Sequence, residues 1–69
     1  MNLKDLEKIE NILAEIRKLL NPEDSPYVCD MVVMNIAGDG LKDLVIEMMA
    51  QMGYNKKMIK KIVRIISKI

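Results

Sequence analysis

The side chains with the clearest chemical potential in this sequence lie at its end. From Asn55 to Ile69 there are six cations, Lys56, Lys57, Lys60, Lys61, Arg64 and Lys68, and no carboxylate. At 100° per residue the six fall on one side of a helix, while Met58, Ile59, Ile62, Val63, Ile65, Ile66 and Ile69 share about 160° of the other. A face of this kind makes and breaks no bonds; its chemistry is the attraction of anions. Residues 1–54 carry five basic and ten acidic side chains, a net of −5, against +6 for residues 55–69, although the whole chain carries only +1. The terminal block can therefore serve nucleic acid, an acidic protein, an anionic membrane surface, or the carboxylates of its own fold.

Other chemistry is scarce. The sequence has no histidine, tryptophan or phenylalanine and one cysteine, which removes Ser/His/Asp and Cys/His pairs, a zinc cluster and a disulfide framework. No enzyme is expected, no residue is assigned a catalytic role, and neither a cofactor nor a metal is expected. Cys29 reads as a small buried hydrophobe in a reducing compartment. Asp39, Asp43 and Glu47 step by four along one helical face, a stripe that is either solvated or set against a basic partner, including the lysine face of a second copy. Six of the seven methionines, Met31, Met34, Met48, Met49, Met52 and Met58, fall between residues 31 and 58. Flexible thioethers either fill a core that lacks large aromatics or line a groove for an apolar helix, with Met48 and Met52 as its contact residues.

The elements that must position these residues follow from apolar spacing. Asn2 caps a first helix, 2–20, whose stripe of Leu6, Ile9, Ile12, Leu13, Ile16, Leu19 and Leu20 covers about 140°. Asn21-Pro22 stops it, and Ser25-Pro26 reads as cap and first position of a second helix, 26–37, with a strand as the alternative because the segment is apolar nearly all round. Gly38 supplies a left-handed stop, Asp39 caps a third helix, 40–52, and Gly53 and Asn55 close it and cap a fourth, 55–69.

The expected fold is all-α, a compact four-helix array forming a single domain over 1–69. A chain of 69 residues buries only about 60% of its unfolded surface. The first helix, about 27 Å long at 1.5 Å per residue, outreaches the others, so a homodimer or larger homo-oligomer is expected. No stretch approaches the roughly 18 to 20 apolar residues of a bilayer span, and the cytoplasm is the expected compartment. The last helix lacks Trp and Phe anchors, so association with a membrane surface is not expected.

From Leu44 to Ile66 the sequence resembles the helix-turn-helix DNA-binding family over about a third of the chain: apolar Met48 and Met52, Gly53 at the turn, then Tyr54, Ile59 and Ile62. In that family the second helix enters the major groove, so the resemblance implies Asn55, Lys56, Lys57, Lys60, Lys61 and Arg64 as the DNA-facing set. Two features depart from the pattern. Met49 stands where the family has a small residue, and lysine predominates where Arg, Asn or Gln would read base edges, which favours phosphate contacts. Met52-Gly53-Tyr54 looks like the exposed loop of ubiquitin-associated domains, without the third helix that follows it there. Asp39-Gly40-Leu41 is similar to the modification site of acyl carrier proteins, with glycine in place of the serine that carries phosphopantetheine. The same segment echoes a calcium loop, but Ile46 occupies the bidentate glutamate position.

The function expected from these residues is a small non-enzymatic protein-binding regulator or adaptor. It would engage an acidic partner through Lys56, Lys57, Lys60, Lys61 and Arg64, or an apolar helix through Met48 and Met52. The alternative is a small nucleic-acid-binding regulator of helix-turn-helix type.

Overall fold

A computed structural model describes residues 2–69, and its element order is α1 (Leu3–Leu19), α2 (Ser25–Met34), α3 (Leu41–Gln51) and α4 (Lys56–Ile66). Two helices start as their sequences dictate. The Asn2 side chain accepts a hydrogen bond from the Asp5 amide at 3.0 Å, and Asn55 accepts one from the Met58 amide at 2.8 Å, each satisfying an amide that the helix leaves without a partner. The strand alternative for the second segment is not adopted: its amides bond within a helix.

That second helix differs in detail from the expectation at both ends. Asp24, not Ser25, occupies the cap position, and no side chain caps it; the amides of Asp24 and Ser25 instead donate to the Asn21 carbonyl at 2.9 and 3.0 Å. The chain thus turns through Pro22 to Asp24 and runs straight into α2, which places Ser25 inside the helix and buried. At the other end α2 stops at Met34, three residues early, and the Asn35 side-chain amide donates to the Met31 carbonyl at 2.9 Å, taking an acceptor at the helix end.

Gly38 is not a left-handed stop. Its amide donates to the Asn35 carbonyl at 2.8 Å, and a Cβ there would approach that oxygen to 3.3 Å, so glycine serves a close backbone approach. Among the described residues the positive φ belongs to Gly53, at 93°. Asp39 does not cap α3 either: Gly40 stands next to the first helical residue, leaving the Asp39 carboxylate one position too early, and no side chain caps this helix. α4 ends at Ile66, where the Ser67 hydroxyl donates to the Val63 carbonyl at 2.8 Å and tighter i to i−3 bonds carry Lys68 and Ile69.

The helices form a closed ring in which α1 packs on α2, α2 on α3, α3 on α4 and α4 on α1. α4 runs antiparallel to α1: Lys61 and Ile65 lie beside Leu19 and Glu15, and Ile69 lies beside Ile9 and Lys8. The core is built from Ile16, Val28, Val32, Val45, Met49 and Ile62, all fully covered, with Ile12, Leu20, Leu41 and Ile66 around them. Each such side chain contributes about 1.5–3 kcal/mol by leaving water.

The lengths do not match. α1 has 17 residues against 10 or 11 for the others, so about 25 Å of helix is packed by partners of about 15 to 17 Å. Its buried positions, Ile12, Leu13 and Ile16, lie in its second half; Ile9 is half-buried against the core, and the turns before it, with Leu3 and Leu6, reach past it into solvent. No helix of the described residues is long and apolar enough to cross a membrane.

Candidate functional site

α4 is the most strongly divided helix of the four. Ile62, Ile65 and Ile66 are buried, Met58, Ile59 and Val63 are half-buried, and Lys56, Lys57, Lys60, Lys61 and Arg64 are all exposed. Ile69 departs from the expected stripe, being 43% exposed where the chain leaves the helix. Among the described residues the ion pair formed is Lys68 with Glu15, at 3.8 Å and in contact with solvent; none of the five cations from Lys56 to Arg64 is within 4.0 Å of a carboxylate. The chain's own acids therefore do not occupy this face.

The order of charges along α4 matters as well. Helix dipoles favour carboxylates in the first turn and cations in the last, at about 0.3–1 kcal/mol each. In α4 the first turn has Lys56 and Lys57 and no acid. α1 follows the rule, with Asp5 in its first turn and Arg17 and Lys18 in its last. At the start of α4 the lysines and the dipole thus add to a concentrated positive field instead of cancelling.

The two methionines assigned to binding lie elsewhere. Met48 lines a shallow groove of about 180 Å³ on the α2–α3 seam together with Met31, Leu44, Glu47 and Gln51, while Met52 is half-buried against the core. Met49 is fully covered, filling the place where a close helix pair would need a small residue, and Met34 is 83% exposed. The structure thus divides the sequence-derived site into two surfaces, a cationic one on α4 and a methionine-lined one between α2 and α3. Asp43 and Glu47 are exposed on α3, as is Asp39 in the turn before it.

Immediately before α4, Tyr54 holds the turn in place. Its hydroxyl donates to the Asp24 carboxylate (Oδ2) at 2.7 Å and accepts from the Asn21 amide at 3.0 Å, tying the α3–α4 turn to the α1–α2 linker. Partial burial pushes its phenol above the ordinary value of 10.0, and donation to Asp24 raises it further. Tyr54 is therefore committed within the fold, unlike the exposed loop that Met52-Gly53-Tyr54 resembles. Sequence reasoning gave it an apolar place after the turn and a part in that loop resemblance, and missed this contact, since a contact over 30 residues leaves no local trace; the sole signal was a tyrosine next to a helix cap, where phenylalanine would serve packing alone.

Cys29 is buried, with its thiol 4.0 Å from the Leu13 carbonyl, and burial pushes it up from its ordinary 9.0 against the pull of neighbouring Arg17. A high-lying buried thiol is a poor nucleophile. Among the described residues no group of three or more His, Cys, Asp or Glu side chains is placed to hold a metal ion.

A further concavity sits at the end of the ring opposite Tyr54, a cleft of about 470 Å³ lined by Asp5, Lys8, Ile9, Ile36, Ala37 and Ile69. No family model, curated protein or solved structure matches this chain.

Proposed function

We propose that the chain is a small non-enzymatic binding module that self-associates and holds an acidic protein segment on the outer face of α4. One observation carries this reading: five neighbouring cations stand exposed and unpaired by carboxylates, beginning at the helix end where the dipole disfavours them. Local rules of charge placement are broken most often where a site needs the charge. Lysine suits the role, because a flexible ammonium gains from the summed field of a partner without demanding fixed geometry. The α2–α3 groove with Met31 and Met48 is a second contact surface, able to take an apolar side chain of a bound helix.

A nucleic-acid partner is the second reading, favoured by the turn before α4. Gly53 with a φ of 93°, followed by the Asn55 cap, gives the α3–turn–α4 unit the punctuation that the helix-turn-helix resemblance requires. Lysines would then neutralise phosphates, and the log of the binding constant would fall linearly with the log of salt concentration.

Nuclease-treated and untreated lysates, passed over the immobilised protein and over a Lys57→Glu/Lys60→Glu/Arg64→Glu variant, separate the two. The proposal expects nuclease-resistant protein capture that the triple variant loses while keeping its far-ultraviolet circular dichroism. Capture abolished by nuclease, together with anisotropy of a random DNA duplex that saturates at about 50 mM salt and falls steeply above it, would establish the second reading. Capture unchanged in the triple variant would remove α4 from both.

A further inference from the structure

The end of the ring opposite Tyr54 is unfinished. Ile9 lies at the centre of the inward face of α1, in line with Ile12, Leu13 and Ile16, yet it is only half-buried, because α2 ends at Met34 and α4 at Ile66. Leu3 and Leu6 beyond it are 72% and 48% exposed, and the cleft below them is floored by Ile36, Ala37 and Ile69. We infer that a second copy of the chain covers this end, the projecting first halves of two α1 helices crossing antiparallel about a two-fold axis. The inference rests on the self-association proposed above and gives it a surface and a register.

Charge selects the occupant. Residues Leu3–Glu10 carry two cations, Lys4 and Lys8, and three carboxylates, Asp5, Glu7 and Glu10, so the segment offers neither sign strongly and attracts neither a polyanion nor anionic lipid. It is instead self-complementary. Asp5 and Lys8 both line the cleft, three residues apart on one helix, and neither forms an ion pair among the described residues. A two-fold contact sets residue i of one copy against residue j of the other and j against i. An antiparallel crossing centred between Asp5 and Lys8 therefore places Asp5 of each copy against Lys8 of its mate, both pairs on the cleft flank of the apolar seam of Leu6 and Ile9.

The other charged surfaces do not offer this closure. Two α4 faces repel each other. The acids of α3 set against the cations of α4 would make a head-to-tail contact, which leaves both outer faces unsatisfied and continues into a chain of copies. Crossing at α1 closes at two and leaves both α4 faces outward, so that a dimer presents two cationic helices to one partner and gains from their effective concentration.

Sedimentation equilibrium of the full chain from about 10 to 300 μM, at about 50 mM salt so that surface charges are little screened, tests the surface. The wild type should reach the mass of two chains. Asp5→Lys and Lys8→Asp should each weaken the dimer about tenfold, since each sets like charges together at two symmetry-related places. The Asp5→Lys/Lys8→Asp double variant restores opposite signs and should recover to within about threefold of wild type, a coupling that mere loss of stability would not produce. Glu7→Lys makes the same change of charge on the outer flank and should leave the dimer intact, whereas Leu6→Glu should abolish it. A wild type that stays at one chain overturns the self-association itself. A dimer indifferent to the Asp5 and Lys8 reversals overturns this surface and leaves self-association to another.

Discussion

The two ends of the helical ring are finished in different ways. At one end the α1–α2 linker and the α3–α4 turn are fastened by the Tyr54 hydroxyl, which joins Asp24 to the Asn21 amide. The opposite end has no such fastening: Leu3 and Leu6 in the first turns of α1 face solvent, and Ile69 lines an open cleft. Four helices of equal length would have closed both ends alike. The difference is that α1, with 17 residues against 10 or 11, is longer than its partners, and its extra turns carry the exposed Leu3 and Leu6.

The largest expected contrast is between two isoleucines two turns apart on the same face of α1. Ile16 is fully covered, so Ile16→Ala removes its transfer free energy and leaves a cavity, at about 3–4 kcal/mol. Ile9 is only half-buried, and its neighbours at the open end can settle around the gap. Ile9→Ala should cost below about 1 kcal/mol. Urea unfolding at low micromolar concentration, where a dimer would be dissociated, checks both. Equal losses would mean that the projecting half of α1 is as firmly packed as the rest. Because a domain this small has at most a few kcal/mol of stability, Ile16→Ala should leave little folded protein at 37 °C.

Next in size is the fastening itself. Tyr54→Phe keeps the ring in place and deletes both hydrogen bonds of the hydroxyl, in a site that water partly reaches, for a loss of about 1 kcal/mol. In a domain of this size that lowers Tm by about 4–8 °C. The same bond gives the fold an alkaline limit. In the unfolded chain a tyrosine ionises near pH 10, whereas folding raises Tyr54 above that value, so the unfolded state releases its proton first and stability falls as pH climbs from 10 through the folded value. Cys29, raised from 9.0, contributes in the same direction from about pH 9 upward. Both contributions are fully present below those pH values. Thermal melts from pH 8 to 11 should therefore show a decline that Tyr54→Phe and Cys29→Ala each flatten; a decline identical in both variants and the wild type would mean that neither group sets it.

The order and type of the helices could be read directly, because apolar spacing in α1, α3 and α4 has one period and Asn2 and Asn55 stand where caps belong. The division of α4 into apolar and cationic faces was equally plain, since six cations and seven apolar residues separate without exception at 100° per residue. The boundaries of α2 were not. Ser25 and Gly38 carry the usual signals of a start and a stop, but the backbone turn from Asn21 and the Asn35 side chain set the boundaries one and three residues earlier. Local signals name candidates for a cap; which candidate is used depends on where the neighbouring helix needs the chain to turn. The partition of the methionines and the Tyr54 contact lay further out of reach. Both depend on which helices become neighbours, and periodicity along one helix carries no information about the next.

The smallest expected effect sharpens the comparison most closely, because it sets two identical bonds at the two ends. Asn2 and Asn55 each cap a helix by accepting the amide three residues on, at 3.0 and 2.8 Å, and loss of such a cap ordinarily costs about 0.5–2 kcal/mol. Asn55 starts a helix anchored at once by half-buried Met58 and Ile59 and by the Tyr54 fastening, so fraying its first turn disturbs the packed ring. Asn55→Ala should therefore cost about 1 kcal/mol in global unfolding. Asn2 starts the projecting part of α1, whose first turn touches nothing in the core, and local fraying there does not unfold the rest. Asn2→Ala should change the free energy of urea unfolding by no more than a few tenths of a kcal/mol, while hydrogen exchange of the Asp5 and Leu6 amides, both bonded to Asn2, speeds up. If the proposed crossing of two α1 helices forms, the Asn2→Ala penalty should grow with protein concentration, since the dimer orders the very turn that the cap holds; a penalty independent of concentration would mean that this turn orders nothing beyond itself.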